Sequence, residues 1–219
     1  MTSRQLADGR SIRLPEVDPD ELTPTTATFT GAFDLDSALV DGGDATNATG
    51  AGALEACLVR QLNLSHAKLS PLTLVDVIMT GVDLSNATLH RVTARRTEFR
   101  TCRAIGLHLT LDNATDVSIT DSRLDYATVD IAKVRGALVF TGCTFRESII
   151  SGDLSNTLFL DCDFHDTEFR ATRAAGCDLR TSRITSAHGL LSLRGTKIDA
   201  EQALFLATIL ATEAGLIVD

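Results

Sequence analysis

Aromatic residues are scarce in this chain of 219 residues. It contains no Trp and one Tyr, and aromatic residues make up only 5% of the sequence, whereas hydrophobic residues as a whole make up 44%. A hydrophobic content of this size supports a sizeable core and excludes wholesale disorder. That core must therefore be built mainly from aliphatic and small side chains.

Basic charge and recognisable catalytic or metal-binding motifs are also lacking. The formal net charge is -9, which disfavours an ordinary nucleic-acid-binding protein. The five Cys form no CxxC pair, so neither a disulfide framework nor a zinc site is indicated. There is no P-loop, GxGxxG or GxSxG motif. No histidine has metal-ligand spacing to a Cys or to another of the five His, which are His66, His90, His108, His165 and His188. We therefore expect a non-catalytic protein with no cofactor and no metal.

Long hydrophobic runs are absent as well. The most apolar stretch, residues 203–218, is interrupted by Thr208, Thr212 and Glu213 and is too short to span a bilayer. The first ten residues contain no apolar signal segment. The sequence therefore predicts a cytoplasmic protein that does not bind membranes.

The chain does contain a five-residue repeat. Residues 82–91 read VDLSN-ATLHR, and residues 162–171 read CDFHD-TEFRA. The third residue of each unit, here called the centre, is large and apolar and recurs every five residues from Leu64 to Val134. A one-residue insertion moves the centre to Phe140, a one-residue deletion restores the phase at Leu154, and a second deletion puts the last centre at Leu193. Of these 27 centres, 26 are apolar, and the residue two positions before the centre is small in 21.

A period of five matches neither a helix face nor an alternating strand. It is typical of a chain that turns a corner every five residues and points two side chains inward on each side. Four such sides close a coil of about twenty residues, and successive coils stack about 4.8 Å apart. The sequence therefore predicts an all-β solenoid in which each coil pairs with the coils above and below it.

The units resemble those of the pentapeptide-repeat proteins, whose consensus is A(D/N)LXX, over residues 54–196. This resemblance implies a right-handed quadrilateral β-helix. We expect an N-terminal cap segment in residues 1–26 that covers the open first edge of the solenoid. The repeat region is placed at 27–196, with a Gly/Ala-rich flexible loop at 41–53, and a C-terminal capping and dimerisation helix at 197–219.

Two features of the inward positions lead to specific expectations. The four cysteines Cys102, Cys143, Cys162 and Cys177 all lie two residues before a centre, as does Cys57 if the phase is extended backwards. We expect them to be buried free thiols, with Cys143 and Cys162 stacked in adjacent coils. Asp112 is the only charged residue in an inward position, and because a buried unpaired carboxylate is costly, a local bulge is expected near it.

The C-terminal segment has the pattern of a helix. Asp199 and Gln202 form a capping-box pair, and Gly215 is a plausible stop. One apolar face, expected to cover the last coil, consists of Ala203, Leu206, Ala207, Leu210 and Ala214. Leu204, Phe205 and Ile209 lie outside this face, and we interpret them as a homodimer interface.

Charge is distributed unevenly, which leads to two functional hypotheses. Residues 1–60 carry ten acidic and four basic residues, and residues 197–219 carry four and one, whereas the repeat between them is nearly neutral. The resemblance to pentapeptide-repeat proteins of the Qnr and MfpA type implies a dimeric rod that mimics duplex DNA and acts on DNA gyrase. The densest acidic patch of the repeat is Asp161, Asp163, Asp166 and Glu168. The alternative is an adaptor that binds another cytoplasmic protein through its loops and acidic ends and is unrelated to topoisomerases.

Overall fold

The computed structural model describes residues 2–6 and 9–218, in which the chain forms eighteen strands followed by one α-helix. The first strands are β1 (Ser3–Gln5), β2 (Ser11–Arg13), β3 (Thr23–Pro24), β4 (Gly31–Asp36), β5 (Ala38–Asp41), β6 (Thr49–Arg60), β7 (Lys68–Thr80), β8 (Thr88–Arg100) and β9 (His108–Thr120). They are followed by β10 (Thr128–Ile131), β11 (Val134–Thr141), β12 (Thr144–Arg146), β13 (Ile149–Asp153), β14 (Thr157–Leu160), β15 (Asp163–His165), β16 (Thr167–Arg173), β17 (Arg183–Ile184) and β18 (Ala187–His188). A 3-10 turn (Leu190–Ser192) then leads to helix α1 (Ala200–Glu213).

Each coil of the solenoid contains about twenty residues and therefore four five-residue sides. Asp83 pairs in parallel with Arg103, and Arg103 pairs with Arg123, so residues twenty positions apart are neighbours. The predicted all-β quadrilateral solenoid with a C-terminal helix is confirmed. Four faces can be defined by their centres: face 1 by Leu74, Ala94 and Ala114; face 2 by Met79, Phe99 and Ile119; face 3 by Leu84, Ala104 and Leu124; face 4 by Leu69, Leu89 and Leu109.

The insertion and the first deletion in the repeat appear as irregularities in the strand register. Val134 pairs with Ala114, twenty residues back, whereas Phe140 pairs with Ile119, twenty-one residues back, and the shift lies between Arg135 and Leu138. A second shift, between Gly152 and Asp153, restores the twenty-residue spacing. Both phase changes are therefore absorbed within single coils, so the core columns continue through them.

The core consists of the predicted centres together with the inward residues two positions before them. All the centres are buried except Gly189 and Leu193, which lie in the last coil. Phenylalanine rings stack between coils as expected: the centroids of Phe140 and Phe159 are 5.0 Å apart with their planes 10° apart. Burying each large centre contributes roughly 1.5–3 kcal/mol.

Asp112 does not occupy an inward position. Val92 pairs with Leu111 and Thr93 with Asn113, so the register skips Asp112, which lies at a β-bulge. Leu111 fills the inward slot instead and is buried, whereas Asp112 is partly exposed. The predicted irregularity is present: the register with β8 shifts by one residue at Leu111 and returns at Asn113.

The expectation of a flexible loop at residues 41–53 is wrong. Residues 49–53 belong to β6 and pair in register with β4 on one side and β7 on the other. A Cβ atom on Gly52 would lie 1.9 Å from the carbonyl oxygen of Phe33, and one on Gly50 would lie 2.5 Å from the carbonyl oxygen of Phe29. The glycines are therefore required by close approach of the neighbouring coil rather than by flexibility.

Only part of the predicted N-terminal cap lies at the first edge of the solenoid, where β3 is the terminal strand, whereas β1 and β2 run along the side of the solenoid. Met1, Ala7 and Asp8 of the predicted cap lie outside the described residues. β1 and β2 form an antiparallel hairpin, and the chain then runs back towards the first coil, where β3 pairs with β5. We call residues 2–6 and 9–16 the strap. It spans several coils, because Arg10 donates to the carbonyl of Gly176 at 3.3 Å and the amide of Glu16 donates to Asp76 at 3.1 Å.

Helix α1 covers the last coil, as its sequence predicts. Both hydrogen bonds of the Asp199–Gln202 capping box are present. The side chain of Gln202 also donates to the carbonyls of Leu179 and Ser182, at 2.7 and 2.5 Å. Leu206 is buried against the core. The helix is therefore anchored at its first turn and along one face. Asp219, the last residue of the predicted 197–219 segment, lies outside the described residues.

Candidate protein-interaction surfaces

The predicted acidic patch extends around a corner of the solenoid and is partly neutralised. Asp163 lies on face 3 in β15, Glu168 lies on face 4 in β16, and Asp161 and Asp166 have positive φ angles at the corners. Arg183 donates to Asp163 at 2.5 Å, and Arg170 donates to Glu168 at 2.7 and 2.8 Å. The hydrogen bond from Arg170 lowers the pKa of Glu168. The four carboxylates are thus distributed over two faces and their corners and do not form one continuous anionic surface.

Face 3 carries charges of both signs along its length. One outward column consists of Asp44, Asn63, Asp83, Arg103, Arg123, Thr144, Asp163 and Arg183. Beside it, Asp125 accepts from Arg123 at 2.9 Å and from Thr144 at 2.8 Å. Burial opposes ionisation of Asp125, but these hydrogen bonds outweigh it and lower its pKa. A surface of this kind suits a partner of mixed charge and does not reproduce the regular negative charge of a DNA backbone.

Unpaired negative charge is concentrated at the other end of the solenoid. Seven carboxylates of the first coils and the preceding turn are exposed and form no ion pair with the described residues: Asp18, Asp20, Glu21, Asp34, Asp36, Asp41 and Asp44. We call this set the acidic N-terminal end. The sequence-based choice of a patch missed it, although the ten acidic residues among the first sixty were the signal.

Helix α1 presents two of the three predicted interface residues to solvent. Leu204 is 81% exposed and Phe205 is 57% exposed. Ile209, by contrast, is partly buried and packs against the core of the solenoid, so its assignment to the outer face is not supported by its position. Three residues predicted on the inner face, Ala203, Ala207 and Ala214, are exposed. The helix is therefore rotated relative to the prediction, because Gln202 and Leu206 define its inner side.

Further apolar surface follows the helix. Leu216, Ile217 and Val218 are 64%, 89% and 55% exposed. Beside α1, a groove of about 400 Å³ lies between the helix and the last coils and is lined by Phe205, Leu206 and Ile184 among others. The C-terminal end of the molecule thus combines an exposed apolar helix face with an exposed apolar tail.

The side chains that could bind a metal ion or act as nucleophiles are dispersed or buried. The described residues contain no group of three or more His, Cys, Asp or Glu arranged to hold a metal ion. All five cysteines are buried and free, which confirms their inward placement. Burial raises the pKa of Cys102 to about 11 and that of Cys177 to about 12. The thiols of Cys143 and Cys162 are in contact, and that contact, together with burial, raises the pKa of Cys162.

The sequence interpretation missed the surface beneath the strap. Val139 and Leu158 occupy outward positions on face 2, yet both are fully buried, because they pack with Ile12 and Leu6 of the strap. Outward positions of the repeat are otherwise polar. The apolar residues at these two outward positions were therefore the signal for a covered face. Among the described residues, no helix is long and apolar enough to cross a membrane.

These observations define the class of the molecule as a β-solenoid built from five-residue units, with a side-mounted strap and a terminal helix. Its repeat and its four-sided coils are those of the pentapeptide-repeat fold. No family model matches the chain, and no curated protein matches it.

Solved pentapeptide-repeat structures resemble the chain at low identity. HetL, a pentapeptide-repeat protein involved in regulating heterocyst differentiation in the cyanobacterium Nostoc sp. strain PCC 7120, is 16% identical over 75% of this chain and 86% of HetL, with a TM-score of 0.33. Full-length QnrB1, a plasmid-mediated fluoroquinolone resistance protein, is 14% identical over 82% of this chain and 99% of QnrB1, with a TM-score of 0.36. Likeness at this level concerns the fold and does not indicate a partner.

Proposed function

We propose that the chain is a non-catalytic interaction rod that binds a basic surface of a partner protein through the acidic N-terminal end. The observation that carries this proposal is the set of seven exposed carboxylates without an ion pair among the described residues. Concentrated charge of one sign raises the rate of encounter with an oppositely charged partner. Elsewhere on the solenoid, arginines neutralise several carboxylates.

The exposed face of α1 supports a second part of this proposal, which is pairing with another copy of the chain. Leu204 and Phe205 are large, apolar and open to solvent, and contiguous apolar surface of this kind marks interaction sites. A two-fold pair joined at α1 would carry an acidic N-terminal end at each extremity. Such a rod is suited to bridging two partner sites.

A gyrase-directed DNA mimic is the more specific candidate. The resemblance of the repeat to gyrase-interacting pentapeptide-repeat proteins and the acidic N-terminal end favour it, whereas the mixed-charge column on face 3 counts against mimicry along the whole rod. Because of that resemblance of the repeat, gyrase is the first partner to test. Regulation of another cytoplasmic protein, as an adaptor, is the competing candidate.

The test compares two sets of neutralising substitutions in the full chain. The first replaces Asp34, Asp36, Asp41 and Asp44 with Asn. The control replaces Asp161, Asp163, Asp166 and Glu168 with their amides. Gyrase supercoiling is measured with and without a fluoroquinolone, and partners are cross-linked in the native host. The proposal expects the first set to abolish the interaction and the control to retain it. Equal retention by both sets would overturn the assignment to the acidic N-terminal end.

A further inference from the structure

The strap is a separate structural unit that rests on the solenoid. In the described part of the chain, β1 and β2 form a two-stranded sheet of their own, and neither strand joins the sheets of the solenoid. Backbone bonds from Leu6 to Arg10 at 2.8 Å and from Leu14 to Thr2 at 3.0 Å close the hairpin. Because these bonds are internal, the strap can leave the solenoid without breaking a β-ladder.

The surface beneath the strap is a groove with defined chemistry. Its apolar part consists of Ala137, Val139 and Leu158, which receive Leu6 and Ile12 of the strap. Its charged part lies along the corner between faces 1 and 2, where Asp116 is almost completely buried and accepts from Arg13 at 2.5 Å. We call this surface the strap groove.

Charge complementarity continues along the corner. Asp76 accepts from the Glu16 amide and is held by Arg96 of the adjacent coil. Asp76, Arg96 and Asp116 follow one another at the same corner position of successive coils. The strap groove therefore selects an extended segment that presents an apolar side chain next to an arginine, as Ile12 and Arg13 do.

The connection between the strap and the first coil is open to solvent. It consists of residues 17–22, of which residues 18–21 are all exposed. A segment linked in this way is open to exchange between identical chains, because exchange reproduces every contact in the closed form.

We propose that the strap groove is an intermolecular binding site for the strap of a second copy of this chain, so that two chains can exchange straps reciprocally. The tethered strap competes with the incoming one at an effective concentration that short linkers place in the millimolar range. Exchange is therefore suppressed in dilute wild-type protein. It becomes favourable when a chain's own strap no longer matches its own groove.

A charge-swap experiment on full-length chains tests this site. One variant carries Arg13→Asp, which reverses the charge of the strap, and the other carries Asp116→Arg, which reverses the charge of the groove. Each variant therefore loses the ion pair between its own strap and its own groove. Both also carry Leu204→Glu and Phe205→Glu, so that any pairing through α1 does not interfere. In an equimolar mixture, the strap of each chain matches the groove of the other. We expect native mass spectrometry to show a one-to-one heterodimer in the mixture and monomers in each separate sample.

Two further variants control the experiment. A single chain with both Arg13→Asp and Asp116→Arg regains its own match and should remain monomeric, with wild-type protection of the strap against proteolysis. A second pair, Ile12→Glu and Leu158→Lys, repeats the test at the apolar part of the groove if Asp116→Arg does not fold. Folded variants that stay monomeric in both mixtures would overturn the proposal. Dimerisation of the doubly swapped chain with itself would also overturn it, because the strap of that chain matches its own groove.

Discussion

Phe145 and Phe164 stack face to face in adjacent coils, with ring centroids 5.1 Å apart and planes 11° apart. Both side chains are completely buried. Parallel pairing places Phe145 directly opposite Phe164 and Arg146 opposite His165. The stacked pair therefore fixes which residues of β12 and β15 point inward and which point outward.

The first prediction concerns this alternation. Phe164→Asp buries an unpaired charge between two coils, and we expect loss of folded β signal in circular dichroism. Phe164→Ala, which only removes the ring, should lower the free energy of unfolding by about 3–5 kcal/mol. The matched control is His165→Asp, which alters a partly exposed outward residue and should leave the melting curve nearly unchanged. Equal damage from Phe164→Asp and His165→Asp would contradict the assignment.

The inward and outward positions were predictable because every coil repeats the same environment. Each centre lies between the centres of the coils above and below it. The same inward environment therefore recurs many times in the sequence, and each recurrence supports the assignment of that position. The buried cysteines and the stacking of Phe140 on Phe159 follow from this repetition.

Features that occur once were not predictable in the same way. The path of the strap depends on contacts more than one hundred residues apart, such as that between Arg13 and Asp116. The glycines at 50 and 52 suggest flexibility in the sequence but result from close contact with the preceding coil. The rotation of α1 depends on the hydrogen bonds of Gln202 to two backbone carbonyls, and a helical pattern alone does not contain them.

The second prediction concerns the thiols. All five cysteines are buried, and the pKa of Cys102 is raised to about 11. Because the thiolate is the reactive form, native protein should react with a thiol reagent only as fast as the solenoid opens. All five should react in denaturant under non-reducing conditions. Arg60→Cys, at an exposed position, provides the control and should add one rapidly labelled thiol to the native protein. Rapid native labelling of Cys102 and Cys177 would contradict the structure.

The third prediction concerns the buried pair of Asp76 and Arg96. Burial opposes ionisation of Asp76, but hydrogen bonds from Arg96 and the Glu16 amide outweigh it and lower the pKa of Asp76. A carboxyl group with a lowered pKa in the folded state stabilises the fold above its unfolded pKa of about 3.9. That stabilisation is lost as the pH falls through the lower folded value. We expect the melting temperature to drop steeply below pH 4.

Asp76→Asn tests this dependence with little change of shape. It removes the carboxylate to which Arg96 is hydrogen-bonded, and breaking a buried ion pair typically costs about 3–5 kcal/mol. The melting temperature of the variant at pH 7 should fall, and its decline between pH 5 and pH 3 should become shallower. Asp161→Asn is the control, because Asp161 is exposed and has a similar positive φ angle of 53°. An unchanged acid profile in Asp76→Asn would assign the acid sensitivity to other carboxylates.

The last prediction concerns the two sides of helix α1. If Leu204 and Phe205 form a two-fold interface, replacing both with Glu should give monomers in light scattering, with the β signal and melting temperature retained, since both are exposed in the single chain. Leu206→Glu is the matched contrast: this residue is buried under the helix, so a charge there should displace α1 and expose the edge of the last coil, which promotes aggregation. Ile209→Glu should resemble Leu206→Glu rather than the outer pair, because Ile209 packs against the core.

A wild-type chain that is monomeric at high concentration would refute the interface. A monomeric Leu204→Glu and Phe205→Glu variant that still binds its partner as tightly as the wild type would separate pairing from partner recognition, which would then reside in the individual rod.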